Sequence, residues 1–159
     1  MILQEGTSAC TLDSKGRFQL PTAILRGLPA ENEGRFVVNR SSEKCLTLYP
    51  IDVWNDYKAA MNGMNIFDPD DRRVVRYFLG SAAEVRLDSK NRLLIPQPLQ
   101  EYAKLEKELQ IITMKHFVEI WNPKLYDDEI NESEEKRSEG IKKLSNIING
   151  YGRFANSVS

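Results

Sequence analysis

The sequence predicts a β-dominated α+β fold in which one strand–turn–strand unit occurs twice. Residues 13–21, Asp-Ser-Lys-Gly-Arg-Phe-Gln-Leu-Pro, return 75 positions later as residues 88–96, Asp-Ser-Lys-Asn-Arg-Leu-Leu-Ile-Pro, with five of the nine identical. An alternating run precedes each charged turn and a β-like run follows it, which indicates a hairpin. Gly16 and Asn91 share one turn position. Because glycine and asparagine adopt positive φ most readily, the two turns are predicted to have the same backbone shape.

The repeat extends well beyond the turn. After each proline we predict a short helix, two strands and a second helix. These lie at 22–28, 35–39, 45–50 and 51–64 in the first copy and at 97–105, 109–113, 117–123 and 124–132 in the second. A helix over 68–80 joins the copies, with Asp68 as its N-cap and Gly80 as its end. Because neither copy has enough apolar surface for its own core, the eight strands are expected to pair around a pseudo-twofold axis.

The chain is predicted to contain two repeats and an extension. The first repeat covers residues 1–66, and the second, packed with it as one body, covers 67–130. Residues 131–159 are expected to form an acidic linker and an amphipathic helix. Acidity is concentrated there, because 127–139 contains seven acidic and two basic residues although the net charge of the chain is −1. The body of the protein is therefore mildly basic.

Composition limits the cellular setting. The chain has 159 residues and no apolar run near the length of about 18 residues that a membrane span needs. Its first residues lack the basic start and long apolar stretch of a signal peptide. We therefore expect a cytoplasmic protein without membrane association. Cys10 and Cys45 lie in strand-like runs, where buried free thiols are the simplest interpretation.

The two hairpin turns are the best candidates for a binding site. Lys15 and Arg17, beside Gly16, place two long cations on a turn whose backbone can approach a phosphate closely. Such cations supply salt-dependent affinity for DNA, and an arginine can also read guanine in the major groove. Lys90 and Arg92 repeat the arrangement. They are weaker candidates, because the acidic segment follows their half of the chain.

Asp13 and Asp88 are interpreted as structural braces of the hairpins, since a carboxylate at a DNA surface repels phosphate. An acid–base dyad is the enzymatic alternative. The lysine two residues after each aspartate disfavours it, because a nearby cation keeps both carboxylates ionised. His116 is the single histidine and lacks partners at metal-ligand spacing. No catalytic site, metal site, cofactor or small-molecule substrate is predicted.

Four stretches together carry a resemblance to the MraZ family. They are the duplicated Asp-x-Lys-Gly-Arg turn, Cys-Leu-Thr-Leu-Tyr-Pro at 45–50, Arg-Tyr-Phe-Leu-Gly-Ser-Ala-Ala-Glu at 76–84 and Val-Glu-Ile-Trp at 118–121. The resemblance covers residues 1–130, but Asn91 replaces the usual glycine of the second motif. It implies a duplicated swapped-hairpin, AbrB-like barrel with pseudo-twofold symmetry and short flanking helices.

The resemblance also implies a function. MraZ proteins are bacterial transcriptional regulators whose signature, Asp-x-x-x-Arg, matches Asp13 to Arg17 and Asp88 to Arg92. The expectation is a nucleoid-associated homo-oligomeric ring that binds short direct repeats in double-stranded promoter DNA of the division and cell-wall gene cluster. The alternative is an oligomeric scaffold whose hairpin charges pair between subunits and never contact DNA.

Overall fold

The computed structural model describes residues 3–132 and 134–150, and these residues form eight strands and six α-helices. The strands are β1 (Gly6–Thr11), β2 (Arg17–Gln19), β3 (Arg35–Arg40), β4 (Leu46–Pro50), β5 (Ala83–Arg86), β6 (Arg92–Leu94), β7 (Glu108–Thr113) and β8 (Val118–Trp121). The helices are α1 (Thr22–Gly27), α2 (Ile51–Asn62), α3 (Pro69–Gly80), α4 (Gln97–Tyr102), α5 (Pro123–Glu132) and α6 (Glu134–Gly150). The predicted order of elements in the two repeats is confirmed.

Six strands form one antiparallel sheet in the order β1-β7-β8-β4-β3-β5. The first strand of each repeat pairs with the third strand of the other, so β1 lies beside β7 and β5 lies beside β3. The β4–β8 pair joins the two halves of the sheet. Exchanging the repeats maps the strand order onto itself, which places a pseudo-twofold axis between β4 and β8.

The remaining strands, β2 and β6, form a two-stranded antiparallel ribbon. Phe18 lies opposite Leu93 at its centre, and both side chains are almost fully buried. Because side chains alternate across a strand, the residues on either side of this pair must point away from the core. The ribbon therefore has one apolar face and one outer face.

The hydrophobic core draws on both repeats. Its largest fully buried side chains include Phe18, Leu20, Ile24, Phe36, Leu46, Leu48, Leu93, Leu109, Ile111 and Ile120. Each such side chain stabilises the fold by about 1.5–3 kcal/mol relative to an exposed position. Since the strands that supply these residues come from both repeats and pair across them, neither repeat contains a complete core.

Helix starts follow local sequence chemistry. Proline at 21, 50 or 96 occupies the N-cap position of α1, α2 and α4, where its missing N–H costs no intrahelical hydrogen bond. Asp68 caps α3 by accepting a hydrogen bond from the Asp70 N–H at 2.8 Å, and Pro69 takes the first helical position. The predicted cap and the predicted end at Gly80 are both confirmed.

Two parts of the predicted architecture need correction. Among the described residues no strand pairing joins β1 to β5, so the sheets do not close into a barrel. The fold is also mixed α+β rather than β-dominated, because helices of 10, 12, 12 and 17 residues accompany strands of three to six residues. Alternation along the chain predicts the strands themselves, but it does not reveal whether the two edges of a sheet meet.

The chain divides into two compact units, Met1–Pro123 and Lys124–Ser159. In the second unit, α6 begins at Glu134, so the stretch expected to be an acidic linker is largely helical. Its apolar positions Ile141, Leu144 and Ile148 are exposed. Residues 133 and 151–159 of the predicted extension lie outside the described residues.

No helix in the described part of the chain has the length and apolarity required to cross a bilayer.

Candidate nucleic-acid interface

The first hairpin turn is held together by the Asp13 carboxylate. Its Oδ1 accepts hydrogen bonds from the backbone N–H groups of Lys15 and Arg17, each at 2.9 Å. Its Oδ2 accepts a third from Arg17 Nε at 2.9 Å. The backbone closes the same turn, because the Asp13 N–H donates to Arg17 O at 2.8 Å and the Gly16 N–H donates to Asp13 O at 3.0 Å. One carboxylate thus fixes both the turn and the arginine head.

The second hairpin reproduces this network. Asp88 Oδ1 accepts from the backbone of Lys90 and Arg92 at 2.9 Å each, and Asp88 Oδ2 accepts from Arg92 Nε at 2.8 Å. Gly16 has φ +83° and Asn91 has φ +58°, which confirms the predicted positive φ at the shared turn position. Glycine and asparagine are therefore interchangeable in backbone conformation here.

The surroundings of the two turn positions differ. Gly16 is buried beside the Gln100 side chain, and a Cβ added at Gly16 would overlap Gln100 Nε2. Gln100 Nε2 donates to Ile95 O at 2.7 Å. Leu25 occupies the corresponding position in the other repeat, four residues after the proline. An asparagine at position 16 would therefore fit the backbone but displace the Gln100 amide.

The two turns are joined to each other across the ribbon. The Ile95 N–H donates to Gly16 O at 2.9 Å, and the Leu20 N–H donates to Asn91 O at 3.1 Å. Gln19 Nε2 adds a hydrogen bond of 2.9 Å to the carbonyl of Lys90. Each turn is thus anchored by backbone groups of the other repeat, so the distance between the turns is fixed.

Both arginines lie on the outer face of the ribbon. Arg17 is opposite Leu94, and Gln19 is opposite Arg92. Directly opposite residues share a face, so these four side chains lie on the same side of the ribbon. The arginines are diagonal neighbours, and the Cα atoms of such neighbours are about 7–8 Å apart. Leu94 is 53% exposed. The sequence analysis missed Gln19 and Leu94, although the alternation within each strand could have placed them beside the arginines.

The guanidinium groups of Arg17 and Arg92 are held in one orientation but still have hydrogen-bond donors available. Each arginine donates one side-chain hydrogen bond, from Nε to its aspartate, and its side chain is 28% exposed at Arg17 and 25% at Arg92. Among the described residues, the terminal Nη groups make no further ion pair or hydrogen bond. Lys15 and Lys90 are exposed at the tips of the turns. The outer face therefore offers two oriented guanidinium groups, each able to donate two hydrogen bonds, flanked by two exposed lysines.

The hydrogen bonds also set the electrostatics of the aspartates. The backbone N–H of Arg17 is the largest cause that lowers the pKa of Asp13, and the backbone N–H of Arg92 does the same for Asp88. The arginine side chains contribute in the same direction. Both carboxylates therefore stay ionised at neutral pH, which disfavours an acid–base dyad that shares a proton.

We expect acid to weaken the hairpins. A carboxyl whose pKa is lower in the folded than in the unfolded chain stabilises the fold above its unfolded pKa of about 4, and this contribution disappears as pH falls through the folded value. The double variant Asp13→Asn and Asp88→Asn should therefore unfold at lower urea concentration than the wild type near neutral pH. The two midpoints should converge as the pH falls below the folded-state pKa values of the two carboxyls. A gap that stays constant with pH would show that these carboxylates do not brace the turns.

Taken together, the fold and this surface define a class: duplicated α+β proteins that exchange strands between repeats and present two aspartate-braced arginines on one ribbon. The family model described as "MraZ protein, putative antitoxin-like" matches residues 3–77 and 78–145. The chain belongs to the MraZ family.

Similar proteins carry the same name. The chain is 40% identical over 121 residues to the transcriptional regulator MraZ of Cytophaga hutchinsonii, which covers 76% of this chain and 80% of that protein. It is 35% identical over 134 residues to the transcriptional regulator MraZ of Christiangramia forsetii, with coverage of 84% and 86%. The corresponding regulator of Shewanella sp. strain ANA-3 is 36% identical over 138 residues, with coverage of 86% and 91%.

Proposed function

We propose that this protein is a sequence-specific, double-stranded DNA-binding transcriptional regulator. One observation carries the proposal: Arg17 and Arg92 lie on the same outer face of a two-stranded ribbon and are each held by an aspartate. A two-stranded β-ribbon fits the major groove, and bidentate arginine is the commonest reader of guanine there. The similar proteins, named as transcriptional regulators, support this assignment.

The contacts divide into two kinds in this proposal. Lys15 and Lys90, exposed at the turn tips, contact phosphates and supply the salt-dependent part of the affinity. Gly16 lets the first turn keep its positive φ. The arginines approach base edges with part of their orientation already fixed, so less conformational entropy is lost on binding. Asp13 and Asp88 act as braces of the turns. The arginine paired with each aspartate screens the carboxylate charge from the DNA.

The outer face of one ribbon is small for a specific site. We therefore propose that several copies assemble into a ring and bind short direct repeats, because linked contacts gain affinity through effective concentration. The proposed target is the promoter of the division and cell-wall gene cluster, and the proposed setting is the cytoplasm, at the nucleoid. The first and second repeats proposed at 1–66 and 67–130 would each contribute one turn to every DNA-binding face.

The test is a selection from a random duplex pool followed by a salt titration of the selected sequence. We expect recovery of directly repeated motifs, and affinity that falls by orders of magnitude between low and moderate salt. An oligomeric scaffold without a DNA-binding role would select no motif. The Asp–Arg pairs already form within each turn, which argues against hairpin charges that pair between subunits.

A further inference from the structure

We propose that Cys45, Glu119 and Glu43 bind one divalent cation of the zinc type at the junction of the two repeats. The Cys45 Sγ and one carboxylate oxygen from each glutamate lie within 4.8 Å of one another. Cys45 immediately precedes β4 in the first repeat, whereas Glu119 lies in β8 of the second. The site thus bridges the central β4–β8 pair, far along the chain from the hairpin turns, and does not depend on the proposed DNA-binding function.

The donor set suits zinc. Zn²⁺ accepts thiolate sulfur at about 2.3 Å and carboxylate oxygen at about 2.0–2.2 Å, so ligand atoms around one ion are about 3.5 Å apart. Cys45 Sγ and Glu119 Oε2 are already 3.6 Å apart. Glu43 is exposed on the turn between β3 and β4, so its carboxylate can move inward. Three protein ligands and one water complete a tetrahedral site.

A second observation points to a ligand on this sheet face. Asn39 lies opposite Thr47, which lies opposite Glu119, so the three side chains share one face. Asn39 is 1% exposed, and its Oδ1 has no hydrogen-bond donor among the described residues. Its Nδ2 donates to Phe78 O at 3.3 Å, which fixes the orientation of the amide. A buried acceptor normally has a donor, and a metal-bound water supplies one.

Binding is an exchange of a proton for the cation. The thiol proton leaves to solvent, a metal–sulfur bond forms, and no atom changes oxidation state. Because the ligands come from both repeats, a bound ion links them and stabilises the folded chain.

The experiment uses the full chain, freed of metal with a chelator and titrated with CoCl₂. We expect one near-ultraviolet thiolate-to-cobalt charge-transfer band that saturates at one equivalent per chain and disappears on addition of ZnCl₂. The zinc-loaded protein should melt at a higher temperature. Cys45→Ser should lose the band, whereas the matched control Cys10→Ser should keep it, because Cys10 belongs to no such cluster among the described residues.

The exposed ligand provides an independent check that does not disturb the core. Since even indirect partners of a metal are worth about 10–100-fold in affinity, Glu43→Gln should weaken cobalt binding by at least about tenfold. If Cys45→Ser fails to fold, the cobalt affinity of Glu43→Gln tests the proposed site instead. A missing band in the wild type, a band that persists in folded Cys45→Ser, or unchanged affinity in Glu43→Gln would each overturn the proposed site.

Discussion

Replacement of Arg17 and Arg92 together by alanine is expected to abolish specific DNA binding while the protein remains folded. A base-reading arginine is worth about 1–3 kcal/mol per site, so each single variant should lose about 5- to 150-fold in affinity and the double variant should lose more. The structure gives both arginines equivalent contacts and places them on one face. The lower rank of Arg92 in the sequence analysis therefore has no counterpart in the ribbon itself.

Anisotropy with the selected duplex at two salt concentrations, together with sedimentation, measures this effect. Arg26→Ala is a matched control, because Arg26 is exposed on α1, in the last turn of that helix. It should bind DNA like the wild type. Wild-type affinity in Arg92→Ala with loss in Arg17→Ala would restore the ranking of the two hairpins. Unchanged affinity in the double variant would remove the ribbon from the interface.

A fragment of residues 1–66 is expected not to fold as a monomer. It contains the first four strands, but β3 and β4 are the only two of these that pair with each other. The partners of β1, β2 and the outer edge of β4 all come from the second repeat. Without them, Phe18 and Leu20 lose their buried environment, so the fragment should be disordered, aggregated or self-associated.

Circular dichroism and sedimentation of the fragment give the answer. Mixing it with an equimolar fragment of residues 67–130 is the control, because the second fragment supplies the missing strands. Recovery of sheet signal and a cooperative thermal transition only in the mixture would support strand exchange. A stable, folded monomer of residues 1–66 alone would contradict it.

Local chemistry explains why much of the fold was predictable. Positive φ at Gly16 and Asn91 follows from residue type, and the helix starts follow from proline and from Asp68. Strand partners do not follow from local chemistry. Nothing near β1 distinguishes pairing with β7 from pairing with a strand of its own repeat, because both offer alternating apolar residues. Barrel closure, which the described strands do not show, depends on the positions of both sheet edges, so local sequence does not predict it either.

The candidate DNA-binding site was predictable to the extent that it is repeated. The duplication drew attention to Arg17 and Arg92, but their presence on one face depends on the β2–β6 register. The proposed cation site shows the opposite extreme. Cys45 and Glu119 are 74 residues apart in the chain and form no recognisable ligand spacing, so only the pairing of β4 with β8 brings them together.

The pairing of β1 with β7 has a consequence for biosynthesis. About 100 residues separate these strands along the chain. At a synthesis rate of about 5–20 residues per second, the ribosome needs about 5–20 s after making β1 to produce its partner. During that interval the native partner strand of β1 has not yet been made. The sheet therefore cannot be completed until β7 and β8 have been synthesised.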